Sequence, residues 1–341
     1  MKIRILCTLG PASLNPEIIR GLDDRGVDLF RINLSHTPLE AVEPTIEFVR
    51  RVSSTPISLD TEGAQVRCGV VDGDVILDVG QVVSLTAAPV AGTHQELTLW
   101  PRAVFDALGP GSAISIDFDG ALLRVEEVTG DRATATVVRE GQVRSNKAVT
   151  VDPAPDLPPL SDKDGAAIDL GARLGITHYA LSFASRAEDV DLIRSLAPGG
   201  SHIMSKIESR LGVRNMDRII EASDSVIIDR GDLSREVPFE YVPFYQKAIV
   251  RRANRGNRPI FVATNLLESM VTTRTPTIAE ANDIANTLLD GVHGLVLAAE
   301  TAIGIDPLGS VDMVRRAIHA FEQGSAGHLL EEDRVHLGAT T

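Results

Sequence analysis

Lys206 and Glu208 stand two residues apart at the end of an apolar run, and Arg230-Gly231-Asp232 closes the next such run, Val226-Ile227-Ile228-Asp229, one helical stretch later. Positions two apart on a strand point to the same side, so the ammonium and carboxylate of Lys206-Ile207-Glu208 share a face. If both runs are parallel strands of one barrel, their C-terminal ends bring Lys206, Glu208 and Asp232 to one mouth. Two carboxylates there suit a hard divalent cation, and the ammonium suits an anion that the cation carries. The plainer reading is a salt-bridged strand end, which an isolated Lys-x-Glu would favour. The other strand ends decide between them.

The elements that must position these groups alternate regularly. Lys2–Thr8 reads as a strand, and Asn15–Arg25 as a helix that Pro16 opens. Val27–Ile32 is a second strand, Leu39–Val52 a helix, and Pro56–Leu59 a third strand ending at Asp60-Thr61-Glu62-Gly63. From Arg67 to Ala154 the period changes. Val70-Val71, Val75–Leu77, Val82–Leu85, Leu97–Leu99, Ala113–Ile116, Leu122–Val125, Ala133–Val138 and Val149–Val151 are short, β-branched and separated by turns such as Asp72-Gly73 and Asp119-Gly120. These are the marks of an all-β module.

After the proline-rich stretch Pro153–Pro159, Ser161 caps a helix running to Leu174. Tyr179–Phe183, His202–Ile207, Ser225–Ile228, Pro259–Ala263 and Gly294–Leu297 then read as strands separated by helical patterns. Three strands before the module and five after it predict an α/β fold, a (β/α)8 TIM barrel with an all-β domain inserted after the third barrel strand. The expected boundaries are 1–67 and 156–326 for the barrel, 68–155 for the insertion and 327–341 for a polar tail. A doubly wound open sheet is the alternative. The lack of a G-x-G-x-x-G turn or a G-x-x-x-x-G-K loop counts against it.

Composition narrows the partners. In 341 residues, 33 Lys and Arg face 47 Asp and Glu, a formal charge of −14. A surface so acidic argues against nucleic acid or an anionic membrane. It leaves room for a small phosphorylated substrate, which a few positioned cations can serve. No segment approaches the roughly 18 uninterrupted apolar residues of a membrane span. The N-terminus lacks a signal-peptide layout, and Cys7 and Cys68 have no metal or redox spacing, so a cytoplasmic location is expected.

The remaining strand ends carry a polar set. Arg31, Asn33 and Ser35 alternate after strand two and share a side; Asp60 and Thr61 follow strand three. Ser182-Phe183, Thr264-Asn265 and Glu300-Thr301 end strands four, seven and eight. Singly, Asn33 and Ser35 would be turn or cap groups. With Asp60 and Thr61 they form an all-oxygen cluster, which suits a hard cation. Gly231 is either a turn glycine or exposes backbone N–H groups to a carboxylate or phosphate.

In this arrangement the sequence resembles the pyruvate kinase family. Cys7–Ser13 (CTLGPAS), Arg31–His36 (RINLSH), Leu59–Gly63 (LDTEG), Ser205–Glu208 (SKIE), Arg230–Asp232 (RGD), Ala263-Thr264 with Leu267–Met270 (LESM), Asn286–Gly291 (NTLLDG) and Glu300–Ala302 (ETA) fall in the family's order over residues 2–325. The resemblance implies that Glu208 and Asp232 bind a divalent ion, Mg2+ or Mn2+, which also holds phosphoenolpyruvate. It implies that Lys206 faces the transferring phosphoryl group and the enolate oxygen, and that Arg31 binds phosphate. Backbone N–H groups at Gly231 and Asp232 would hold the substrate carboxylate, and Thr264 would lie on the route that protonates the enolate. Asn33, Ser35, Asp60 and Thr61 match a monovalent-cation site for K+, while Asn33, His36, Arg67 and Lys147 are expected toward the nucleotide. Phosphoryl transfer needs mainly charge neutralisation and alignment, which these residue types supply.

The departures from the family's pattern gather near the chemistry. Glu62 stands where Lys is usual, Ala64 where Pro is, Phe118 where the insertion carries an Asp, and Asn265 where Gln is. Gln65 replaces a Glu associated with monovalent-cation dependence, which leaves the K+ requirement open. Asp229 replaces Ala; its charge disfavours an anionic substrate unless Arg230 or a metal offsets it. Ala298-Ala299 replaces Ser-Gly and so removes a hydroxyl near the proton route. The chain also ends after the eighth barrel unit, without the family's usual C-terminal domain or helical N-terminal extension. A homodimer is therefore expected, and light scattering at low micromolar protein should report one rather than a tetramer. Three readings follow: a pyruvate kinase-like phosphotransferase, a relative using the enolate for C–C chemistry or another acceptor, and a non-catalytic binding protein. The intact set Arg31, Lys206, Glu208, Asp232 and Thr264 disfavours the third.

Overall fold

The computed structural model describes residues 2–117 and 120–325. It divides into two compact units, one built from the residues before Gly63 and after Pro159, the other Gly63–Pro159. Phe118 and the polar tail 327–341 lie outside the described residues.

The first unit is a closed barrel of eight strands: Arg4–Thr8, Leu29–Asn33, Ile57–Asp60, His178–Leu181, His202–Ile207, Ser225–Asp229, Ile260–Ala263 and Gly294–Leu297. Each pairs in parallel with its sequence neighbours, and the last closes on the first. Helices between the strands cover the outside, so the strands are nearly all buried and read as apolar runs rather than alternations. Three helix starts are legible in sequence. Asn15 accepts from the Ile18 N–H with Pro16 in the first turn, and Ser161 and Thr277 each complete a reciprocal capping box.

Strand parity sorts the two cores. Leu6, Leu29, Ala180, Met204, Ile227, Phe261, Ala263 and Val296 form a cluster drawn from strands alone, which is the barrel lumen. Their neighbours, such as Ile5, Phe30, Tyr179, Ile203, Val226, Ile228 and Leu295, pack with the helices. Counting on by twos from the lumen residues reaches Thr8, Arg31, Asn33, Ser182, Lys206, Glu208, Asp229 and Ala298 at the C-terminal mouth. One parity rule thus fills the lumen and aims the polar set.

At the opposite strand ends, His178 and His202 are register partners with ring centroids 5.5 Å apart, and His202 Nε2 lies 2.9 Å from Ser225 Oγ. Burial, then the charge of Arg4 for His178 and of His178 for His202, lowers both from 6.5, against a smaller opposing effect of Asp224 on His202. A base with a depressed folded pKa binds its proton more readily in the unfolded chain. Stability from this pair is therefore present above 6.5 and lost as pH falls from there toward the folded values. Urea midpoints measured at pH 8 and pH 5.5 should fall less for His202→Gln than for the wild type.

The second unit is a seven-strand closed barrel with strand order Arg132–Arg139, Val82–Thr86, Glu96–Trp100, Val66–Cys68, Ala148–Asp152, Ala113–Ile116 and Leu122–Thr129, plus a two-stranded pair of Gly141–Val143 with Val75–Leu77. The expected strand at Val70-Val71 is instead Val66–Cys68, whose alternation buries Val66 and Cys68. Val70 is exposed, and Val71 makes only an isolated bridge to Gly92. No described helix is long and apolar enough to cross a membrane.

Candidate active site

Lys206 is 5% exposed, and its ammonium lies 3.4 Å from Glu208 Oε2, 3.6 Å from Asp60 Oδ1 and 3.8 Å from Asp229 Oδ2. Burial works against its charge, but Asp60, Glu208 and Asp229 together outweigh it and hold Lys206 above the ordinary lysine range. Glu208 is fully buried. Its Oε1 accepts from the Phe183 N–H at 2.8 Å, while Oε2 has no hydrogen-bond partner. Burial pushes its carboxyl well above the usual range; Lys206 and the Phe183 N–H oppose this, and Asp232 and Asp229 add to it. Ligand oxygens of Glu208, Asp229 and Asp232 lie within 4.8 Å of one another. An orphaned buried carboxylate oxygen beside further carboxylates is the donor set a hard divalent cation requires, so Glu208 and Asp232 fit one.

The end of strand six turns directly into the helix Arg230–Glu236, with Asp229 as its N-cap. Asp229 Oδ1 accepts from the Thr264 hydroxyl at 3.0 Å and from the Asp232 N–H at 3.4 Å. Thr264 Oγ1 in turn accepts from the Gly231 N–H at 2.8 Å. The two N–H groups expected to hold a substrate carboxylate are thus both engaged within the protein. The cause is local: Asp229 is itself a carboxylate one turn away. A Cβ at Gly231 would come 3.3 Å from Thr264 Oγ1, so a side chain there would press on that hydroxyl by a few tenths of an ångström. Arg230 points elsewhere, 2.7 Å from Asp283 Oδ2, and clamps the Thr264 carbonyl at 2.8 Å.

Backbone strain gathers at the same mouth. Phe183, Thr264 and Asn265 have φ of 53°, 66° and 54°. For a β-branched residue such as Thr264 this is a costly conformation, of the kind that surrounding contacts must hold in place.

Arg31 is 3% exposed, forms an ion pair with Asp60 and donates to Thr8 Oγ1 at 3.2 Å, while its buried Nε has no hydrogen-bond partner. Asn33 and Asp60 are register partners, and Thr61 follows. Their oxygens serve internal donors: Asn33 Oδ1 takes the Ser35 N–H at 2.9 Å, and Thr61 Oγ1 takes the Ser182 N–H at 3.0 Å. Asp60 is shared between Arg31 and Lys206, so three of the four residues expected on a monovalent cation also serve protein donors. Ser35 is half-buried and His36 exposed. Within the β unit, Arg67 is the register partner of Ala148, which follows Lys147: Arg67 donates to the Asn146 carbonyl at 2.9 Å, and Lys147 pairs with Asp117 at 2.9 Å.

Two contributors carried no role in the sequence reading. Ser182, named above only as a strand end, donates to the Thr61 carbonyl at 2.6 Å, in the direction that counting by twos from Ala180 gives. The Phe183 N–H that orients Glu208 depends on a positive φ that no residue type announces there. Glu62, the unusual acid after strand three, is absorbed locally by Lys163 at 3.0 Å.

The family profile described as pyruvate kinase, barrel domain, matches residues 1–311. A pyruvate kinase of Methylorubrum extorquens is 37% identical over 333 residues, covering 94% of this chain and 69% of its own. Pyruvate kinases of Mycobacterium tuberculosis and Sporosarcina psychrophila are each 34% identical, over 334 and 330 residues. This chain spans 70% and 56% of their respective lengths. The match runs through both units and every strand end that carries the polar set, and the chain belongs to the pyruvate kinase family.

Proposed function

We propose that the chain transfers a phosphoryl group between an enol phosphate, phosphoenolpyruvate, and a nucleoside diphosphate. The observation that carries the reading is Lys206, a buried ammonium at the barrel mouth facing three carboxylates, none closer than 3.4 Å. A cation held in a water-poor site stabilises charge on a passing phosphoryl group far better than one in bulk water. Arg31, fixed by Asp60 and Thr8, is a second buried cation at the mouth, and its Nε has no hydrogen-bond partner. The Thr264 hydroxyl, held between Asp229 and the Gly231 N–H, is the group set to move a proton to or from the enolate carbon. Mg2+ or Mn2+ on Glu208 and Asp232 would supply Lewis-acid charge neutralisation. His36, Arg67 and Lys147 are assigned to the nucleotide on the resemblance alone, and Arg67→Ala should raise the nucleotide KM while leaving phosphoenolpyruvate binding intact.

A second reading draws on Asp229, which departs from the family's alanine and places an added carboxylate against the Thr264 hydroxyl, where a metal-bound enolate would instead be used for C–C chemistry or transfer to another acceptor. Phosphorus-31 spectra of phosphoenolpyruvate with a panel of nucleoside diphosphates, Mg2+ and with or without K+, separate the two. Nucleoside triphosphate should accumulate as phosphoenolpyruvate disappears, and Glu208→Gln should abolish this without altering the circular dichroism. No triphosphate from any acceptor, with metal bound, leaves the second reading in place.

A further inference from the structure

We propose that Asp229 is a third protein carboxylate on the divalent-cation site, joining Glu208 and Asp232, so that this chain holds the ion before any organic substrate arrives. The proposal rests on the metal-dependent part of the function above and extends it to a residue that the resemblance assigns no role.

The oxygens of Asp229 have separate surroundings. Oδ1 takes the Thr264 hydroxyl and the Asp232 N–H, while Oδ2 meets Lys206 at 3.8 Å and no closer cation among the described residues. A charge-assisted hydrogen bond spans about 2.7–2.9 Å, so that distance is a loose approach and leaves Oδ2 free to ligate. The same holds for Glu208. Its Oε2 is buried, lacks a hydrogen-bond partner and lies 3.4 Å from the same ammonium. One lysine is spread over three carboxylates and satisfies none of them fully.

Charge balance points the same way. The buried cations Arg31 and Lys206 face the buried carboxylates Asp60, Glu208 and Asp229, with Asp232 beside them. Arg230 cannot redress the balance, because it pairs with Asp283 and the Thr264 carbonyl. Arg235 reaches Asp232 at 3.3 Å from a partly exposed position and offsets part of that one charge. Leaving Asp232 aside, the three buried carboxylates outnumber the two buried cations by one in a site where unpaired charge is costly. A divalent ion neutralises it, and adding Asp229 places three ligand oxygens within 4.8 Å, leaving open positions for water or substrate. The competing role for Asp229 is a helix N-cap and nothing more.

Asp229→Asn separates these roles, because asparagine keeps the acceptor for the Asp232 N–H and Thr264 and loses only the charge and one ligand oxygen. Mn2+ binding is titrated by electron paramagnetic resonance of the free ion, with no substrate or nucleotide present. Asp229→Asn should weaken the apparent affinity by about tenfold or more, since ligand charge count sets affinity at carboxylate sites. Mn2+ should also raise the unfolding temperature less in the variant than in the wild type. If Asp229→Asn does not fold, Asp229→Ser, which keeps a capping oxygen but is too short to ligate, takes its place. Wild-type affinity in the folded variant, with Glu208→Gln weakened, would show Asp229 to be a cap alone and overturn the proposal. Failure of the wild type to bind Mn2+ overturns it together with the metal-dependent function. Asp229-dependent Mn2+ binding without phosphoryl transfer supports this proposal and removes only the kinase reading.

Discussion

Lys206→Met should lower the rate of phosphoryl transfer by on the order of 10³-fold, the effect expected when one buried cation that faces developing charge is removed. Methionine matches the length and apolar stem of the lysine, so the loss reports on the ammonium. The variant should also be less stable. Glu208 and Asp229 lose the cation at 3.4 Å and 3.8 Å, and Asp60 keeps Arg31 and the Ser182 hydroxyl. Removing one partner from a buried ionic network typically costs about 3–5 kcal/mol. Because the carboxylates left behind are metal ligands by the argument above, Mn2+ should restore more stability to Lys206→Met than it adds to the wild type. Rapid-quench measurement of the triphosphate formed in one turnover gives the first effect, and denaturant titrations with and without Mn2+ give the second. A transfer rate within tenfold of the wild type in a folded variant would remove Lys206 from the chemistry.

What sequence revealed and what it withheld divide along a physical line. The strand and helix alternation, the insertion after the third strand and the mouth residues Arg31, Lys206 and Glu208 follow from periodicity, because side-chain direction on a strand has a fixed period of two. Asp232 does not, because it lies on the helix Arg230–Glu236, past the strand end, and its role as a metal ligand came with the family resemblance. Met204, Lys206 and Glu208 are the clearest case: the first fills the lumen and the others continue its direction. The helix start at Asn15-Pro16 and the cap at Ser161 were equally legible, since a cap needs a specific oxygen at a specific offset. Partner choice was not. Arg230 sits beside Asp229 in sequence and is the obvious counter-ion, yet it pairs with Asp283 on the helix Ile278–Leu289. Asn33 and Thr61 were expected on a monovalent cation by resemblance, and sequence did not show that their oxygens also accept from backbone N–H groups, Ser35 two residues on and Ser182 a strand away. The positive φ at Phe183 and Thr264 is set by tertiary contacts and leaves no compositional trace.

Thr264 provides the sharpest test of the proton route. Thr264→Val keeps the side-chain shape and the β-branch at φ 66° but removes the hydroxyl that links Asp229 to the Gly231 N–H. A positioned proton-transfer group contributes about 10²–10⁴-fold, so exchange of the pyruvate methyl protons with deuterated solvent should slow by that order. Phosphoryl transfer, which depends on the cations and not on this hydroxyl, should slow much less. Thr264→Ser retains the hydroxyl and relieves the β-branch at a left-handed position, so it should exchange at close to the wild-type rate. Proton NMR of the methyl signal measures exchange, and the single-turnover assay measures transfer. Equal losses in both half-reactions for Thr264→Val would mean that Thr264 acts by holding Asp229 and Gly231 in place. Wild-type exchange in Thr264→Val would mean that the proton comes from elsewhere at the mouth. Only a loss confined to exchange, and recovered by serine, assigns the hydroxyl itself to the proton.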